Sequence, residues 1–179
     1  ASAPAPRTPE HHWRCNRQQG GGAVYDLGCY NIHHARFIVD AEPLQLFALG
    51  HFGQAARVDE STAVLLEFPG EITAHFSLSH AYFGTQYIEL SGTRGMVRIQ
   101  QAWNNENLPV SIELHTSGKA VEQFDFAPVD QFALQLDHLC ACLDKGTPHR
   151  IPPENSLGNM SVIDAIFESV KTGQPVKFT

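Results

Sequence analysis

The chain has 179 residues, 42% of them apolar and 17% charged, enough for one domain that buries a full core without disulfide or metal staples. A formal net charge of −7 is spread along the sequence with no basic stripe able to neutralise phosphates, which argues against nucleic acid as a partner. No apolar run approaches the ~20 residues of a bilayer span, so no membrane segment is expected, and the four cysteines (Cys15, Cys29, Cys140, Cys142) read as reduced thiols of a cytoplasmic protein.

Residues 1–19 are proline-rich at their start and lack apolar periodicity, the pattern of a linker or N-terminal arm; the domain proper is expected over 20–179. The opening ASAPAPRTPE, with neither an initiator Met nor a signal-peptide pattern, reads like the start of an excised fragment. From about Ala23 to Val39 apolar residues recur at helical spacing, and AEP after Asp40 ends the helix. Gly28, inside that helix, marks a close approach by another backbone or a ligand. The period then changes to two. LQLFALG, TAVLLEF, ITAHFSLSH, QYIELSG, GMVRIQ, VSIELHT and VEQFDF read as short strands, with turns at Pro69-Gly70, Gly92 to Gly95 and Ser117-Gly118. Short connections imply antiparallel pairing. Asp130 caps a second helix with Phe132, Leu136, Leu139 and Leu143 as its apolar stripe, ended by Gly146. A last helix presents Leu157, Met160, Ile163, Phe167 and Val170, Gly173 ends it, and PVKF closes as an edge strand. The expected class is α+β: a large, mainly antiparallel open sheet with helices on one face. Its other face would be solvated or covered by a partner, with Leu65, Phe68, Phe76, Leu78, Ile88, Leu90, Val97 and Ile99 as apolar material for self-pairing.

The chemistry concentrates in GGGAVYDLGCYNIHHARF, residues 20–37. A dinucleotide fingerprint needs G-x-G-x-x-G straight after a buried strand; Tyr25 replaces the third glycine here and the preceding HHWRCNRQQ is too polar for a central strand. Gly20, Gly21 and Gly22 are therefore read as letting the chain approach something closely. Cys29 and His33 share a helix face, but no second ligand pair accompanies them and no metal site is expected. Asp26, Tyr30 and His33 fall at i, i+4 and i+7, along one side of a helix. Spacing alone favours a structural reading, with Asp26 a first-turn carboxylate, Tyr30 a packed aromatic and His33 a surface residue, and leaves a catalytic face open beside it.

GGGAVYDLGCYNIHHARFIVDAEP, preceded by Trp13-Arg14, resembles the opening of the C-terminal domain of the glucose-fructose oxidoreductase, inositol dehydrogenase and MocA family of NAD(P)-dependent oxidoreductases. QYIELSGTRGMVRI is similar to that family's strand-turn-strand, and the stretch from FALQLDHLC to PVKF to its closing helix-loop-helix-strand. The resemblance implies a substrate-binding and oligomerisation domain that works with an N-terminal Rossmann domain holding NAD or NADP. It implies Asp26 and Tyr30 as catalytic residues, Tyr30 standing where other branches have histidine, and leaves the role of His33 open. Moving a hydride to or from a carbinol carbon requires a matching proton transfer at the hydroxyl oxygen, and a tyrosine helped by a cation can perform it. In that family the cation is a lysine of the Rossmann domain, which has no counterpart here.

The expected function is accordingly the substrate half of an oxidoreductase acting on a sugar, cyclitol or related polyol, without activity or a bound cofactor by itself. His33, His75, His80 and Tyr82 are further candidates for substrate contact. Expected partners are the Rossmann domain, the small-molecule substrate, and copies of the chain in a homodimer or higher oligomer. The alternative is a non-catalytic binding or scaffold domain of the same fold, pairing through its open sheet.

Overall fold

The computed structural model describes residues 12–103, 105 and 107–178. Its strands are β1 (Gln45–Phe52), β2 (Asp59–Phe68), β3 (Ile72–Ser79), β4 (Tyr87–Gly92), β5 (Gly95–Gln100), β6 (Val110–Thr116), β7 (Glu122–Phe126) and β8 (Val176–Lys177). Its α-helices are α1 (Cys29–Val39), α2 (Gln131–Lys145) and α3 (Pro153–Thr172). The fold is α+β with antiparallel pairing throughout. The strands hydrogen-bond as two four-stranded sheets, ordered β3-β2-β1-β8 and β4-β5-β6-β7, where the sequence suggested a single large one. Each belongs to its own compact unit: residues up to Tyr82 together with those from Pro153 form the first, and Phe83–Pro152 the second.

In the first unit, period-two alternation along β1 and β2 sends Leu46, Ala48, Val64, Leu66 and Phe68 to one face, where Ile32 of α1 and Val162, Ile163 and Ile166 of α3 complete a core closed to solvent. Each such aliphatic side chain contributes roughly 1.5–3 kcal/mol by its burial. Strand parity corrects the expected outer face: Phe68 and Leu78 are core residues, and Phe76 packs on that core, whereas Leu65 is exposed. Leu49 is exposed as well, so α1 and α3 cover one face of this sheet and not the other. The face of α3 is also shifted from the expected stripe. Ile163 is buried and Phe167 and Val170 pack on the core, but Leu157 and Met160 are exposed and Val162 and Ile166 take their place. Pro153 opens this helix and Gly173, in the left-handed region, follows it.

Ser169 of α3 is fully buried and finishes what the short β8 cannot. β8 pairs only Gln45 and Leu46 of β1; two residues on, the Ala48 N–H donates to Ser169 Oγ (3.0 Å), whose hydroxyl donates to the Gln174 carbonyl (2.7 Å). Arg36 of α1 is buried too: it donates to Glu42 Oε2 (2.7 Å) and Oε1 (2.5 Å) and to the Asn155 carbonyl (3.1 Å), tying α1 to α3.

The second unit is an antiparallel meander followed by α2. Asp130 Oδ1 accepts the Phe132 and Ala133 N–H groups, and Gly146 ends the helix in the left-handed region, as the sequence indicates. The expected stripe of α2 is not buried, however: Phe132, Leu136, Leu139 and Leu143 are exposed and only Cys142 is enclosed. Among the described residues no helix is long and apolar enough to cross a membrane.

Candidate active site

The site grows from the way the glycine run folds onto its own chain. Residues 1–11 of the expected arm lie outside the described residues, but Trp13–Cys15 and Arg17–Gln19 form two one-turn 3₁₀ helices. The Gly21 N–H donates to the Asn16 carbonyl (2.9 Å) and the Gly22 N–H to the Arg14 carbonyl (2.9 Å). A side chain at Gly21 would overlap the Trp13 and Arg14 carbonyls, and Gly22 has φ +115° with its open side against Asp59. The close approach that the glycines permit is therefore internal.

Val24–Gly28 then forms a single π-helical turn before α1 begins. Such turns recur at functional sites because the extra residue per turn re-aims a side chain. Here it carries Asp26 inward, its side chain only 13% exposed, while Tyr30 one turn on is 53% exposed. The straight stripe inferred from 3.6-residue spacing does not survive this turn. Gly28 is buried in it, with Leu78 of β3 in near contact, so its close neighbour is a core side chain.

Asp26 is the hub. Arg14 Nε donates to Asp26 Oδ2 at 2.6 Å, and His80 Nε2 lies 2.9 Å from the same oxygen. Burial alone would raise the Asp26 carboxyl; the hydrogen bonds and charges of Arg14 and His80 outweigh it and hold the group below the usual carboxylate range. Asp26 is thus ionised at neutral pH, and facing a carboxylate the His80 Nε2 acts as an N–H donor. The hydrogen bond to Asp26 in turn raises Arg14, against its own desolvation, and the charge of Asp26 adds to the pull. Arg14 also stacks over Trp13, its guanidinium carbon 4.6 Å from the ring centre.

The other candidates are placed differently. His33 stacks on Phe37 at 6.1 Å and is lowered by burial first and by His34 second, with an opposing hydrogen bond to Asn155. His75 is exposed opposite Leu65, on the sheet face that carries no helix. Tyr82 is 70% exposed at the end of the first unit. Burial raises the Cys29 thiol, and its Sγ donates to the Asp26 carbonyl. Among the described residues no group of three or more His, Cys, Asp or Glu is placed to hold a metal. The amides of Gly21, Gly22, Val24 and Asp26 all have partners within the chain, so the glycine run does not fit a dinucleotide pyrophosphate.

Two neighbours within the candidate site were not singled out from the sequence. Arg14 was visible only as half of a Trp-Arg pair beside the glycines. Asp59, in ARVDES, carries no local signal; its partner Val24 is 35 residues away.

The family model for the GFO/IDH/MocA C-terminal domain matches residues 1–98, and the chain belongs to that family. It is 35% identical over 159 residues to an uncharacterised oxidoreductase of Rhizobium meliloti, covering 86% of this chain and 48% of that protein. It is 30% identical over 177 residues to the NADP(+) D-xylose 1-dehydrogenase of Haloarcula marismortui, covering 92% of this chain and 46% of that one. Among solved structures, the aldose-aldose oxidoreductase of Caulobacter crescentus in complex with glycerol superposes with a TM-score of 0.81 at 26% identity, over 94% of this chain and 51% of its own. The chain spans about half the length of the curated relatives it matches.

Proposed function

We propose that this chain is the substrate-binding half of an NAD(P)-dependent oxidoreductase acting on a CH–OH group of a sugar, cyclitol or related polyol, Tyr30 giving or taking the hydroxyl proton. The observation that carries this reading is an exposed tyrosine one helical turn from a partly buried carboxylate that two basic side chains hold ionised. Asp26 holds Arg14 in place, so that a fixed positive charge stands at the site, one helical turn from Tyr30. The nicotinamide supplies the hydride chemistry when bound. The nucleotide belongs to a Rossmann half, a division supported by the family assignment and by the extra length of the relatives. The chain alone is accordingly proposed to be inactive and to bind neither NADH nor NADPH.

Two measurements test this. Titration of the chain with NADH and NADPH, followed by nicotinamide fluorescence, is expected to give no saturable binding below roughly millimolar concentration. In the longer protein, Tyr30→Phe is expected to lower kcat by about 10²-fold or more with KM little changed. A variant as active as wild type would remove Tyr30 from the chemistry, whereas a longer protein with no turnover on any polyol would favour the scaffold reading. Pairing of copies through the uncovered face of the first sheet is part of the proposal, supported by exposed Leu49 and Leu65; Leu65→Glu is then expected to yield monomers in sedimentation.

A further inference from the structure

The Asp26 site has a second carboxylate behind it. Asp59, the first residue of β2, is 1% exposed, and its Oδ2 accepts the Val24 N–H at 2.7 Å, at the start of the π turn. Its Oδ1 occupies the space that a Cβ on Gly22 would need, so glycine and carboxylate are fitted to each other. The next residue performs the matching task on the other side: the Glu60 carbonyl accepts the His80 N–H (2.9 Å) and the Ser79 hydroxyl (3.0 Å). Two adjacent residues thus anchor the two chain segments, 54 positions apart, that must meet for Asp26 to reach His80.

We infer that Asp59 is a positioning residue for the Asp26–His80 pair: it fixes the turn that carries Asp26, while the peptide joined to it fixes the backbone that carries His80. This deepens the proposed function and rests on it for its catalytic meaning, but the geometry is independent of any substrate. An ordinary helix cap could sit on the surface and be replaced at little cost. Asp59 is enclosed, and burial drives its carboxyl up despite the amides of Val24, Asp59 and Ala23 and the influence of His80, all of which pull it down. A carboxylate kept there against its desolvation serves the parts it connects.

The test is heteronuclear NMR on the whole chain, following hydrogen exchange at the Val24 amide and the imidazole Nε2–H of His80, which stays visible in water when hydrogen-bonded. Asp59→Ala is expected to speed Val24 exchange by roughly tenfold or more and to abolish the His80 signal. Asp59→Asn keeps an oxygen for Val24 and should restore both. Should Asp59→Ala fail to fold, Gly22→Ala takes its place, because its Cβ displaces the carboxylate and should weaken the same two signals. A faster Val24 amide with an intact His80 signal would reduce Asp59 to a cap and overturn the inference, as would wild-type behaviour of both probes in either variant. Neither readout involves cofactor or turnover, so an inactive longer protein would count against the proposed function and leave this result standing.

Discussion

Asp26 gives up hydration for two hydrogen bonds, and the balance determines how the site responds to acid. Its carboxyl titrates lower in the folded chain than the roughly 3.9 of an unfolded aspartate. The stability it contributes is therefore complete above that value and is lost as pH falls through the folded one. Urea unfolding of wild type and Asp26→Asn should show a gap that closes as the pH drops below about 4. A gap unchanged at pH 3 would mean that Arg14 and His80 do not stabilise the ionised form. Little of this was legible in advance. Asp26 and Tyr30 stand out in YDLGCY, yet what distinguishes them here is Arg14 at 12 residues and His80 at 54, and separations of that size leave no periodic trace in the sequence.

At the level of elements, the hydrogen bonds that join helix to sheet are few and costly to lose. Ser169→Ala would orphan the Ala48 N–H and the Gln174 carbonyl inside the first unit, an expected loss of about 1–3 kcal/mol in denaturant unfolding. Thr172→Ala removes comparable bonds at an exposed position, where Oγ1 donates to the Glu168 carbonyl and accepts the Gln174 N–H, and should cost no more than about 0.5 kcal/mol. Glu42 makes a sharper case. Its side chain is 63% exposed, which would ordinarily make the pair worth little, but its partner Arg36 is 4% exposed. Glu42→Ala strips a buried guanidinium of its counter-charge and should cost roughly 2–3 kcal/mol, well beyond a surface ion pair. The elements themselves were readable: the Pro69-Gly70 turn, the Asp130 cap and the edge strand at PVKF fall where local chemistry puts them. The π turn was not, because one added residue in a helix leaves its composition unchanged.

For the molecule as a whole, the informative fact is that the second unit interrupts the first. The division was hidden because the link from β3 to β4 is no longer than the one that joins β5 to β6 within a sheet, and nothing in HAYFGTQ marks it as a change of sheet. Removing residues 174–179 takes away β8 and the Gln174 carbonyl, and amide exchange should then speed up in β1 far more than in β5. Equal loss in both would show that the two units unfold as one.

The same interruption bears on how the chain is born. A ribosome delivers β1, β2 and β3 first, then the 83–152 stretch of about 70 residues, and only afterwards the helix that supplies Val162, Ile163 and Ile166. At ordinary rates of translation the part of the inner face that α3 covers waits roughly 4 to 14 s. During that interval Leu46, Leu66 and Phe68 present an oily surface to whatever is near. The nascent chain is most vulnerable to aggregation while the 83–152 stretch is being made, and is protected once the helix that follows it arrives.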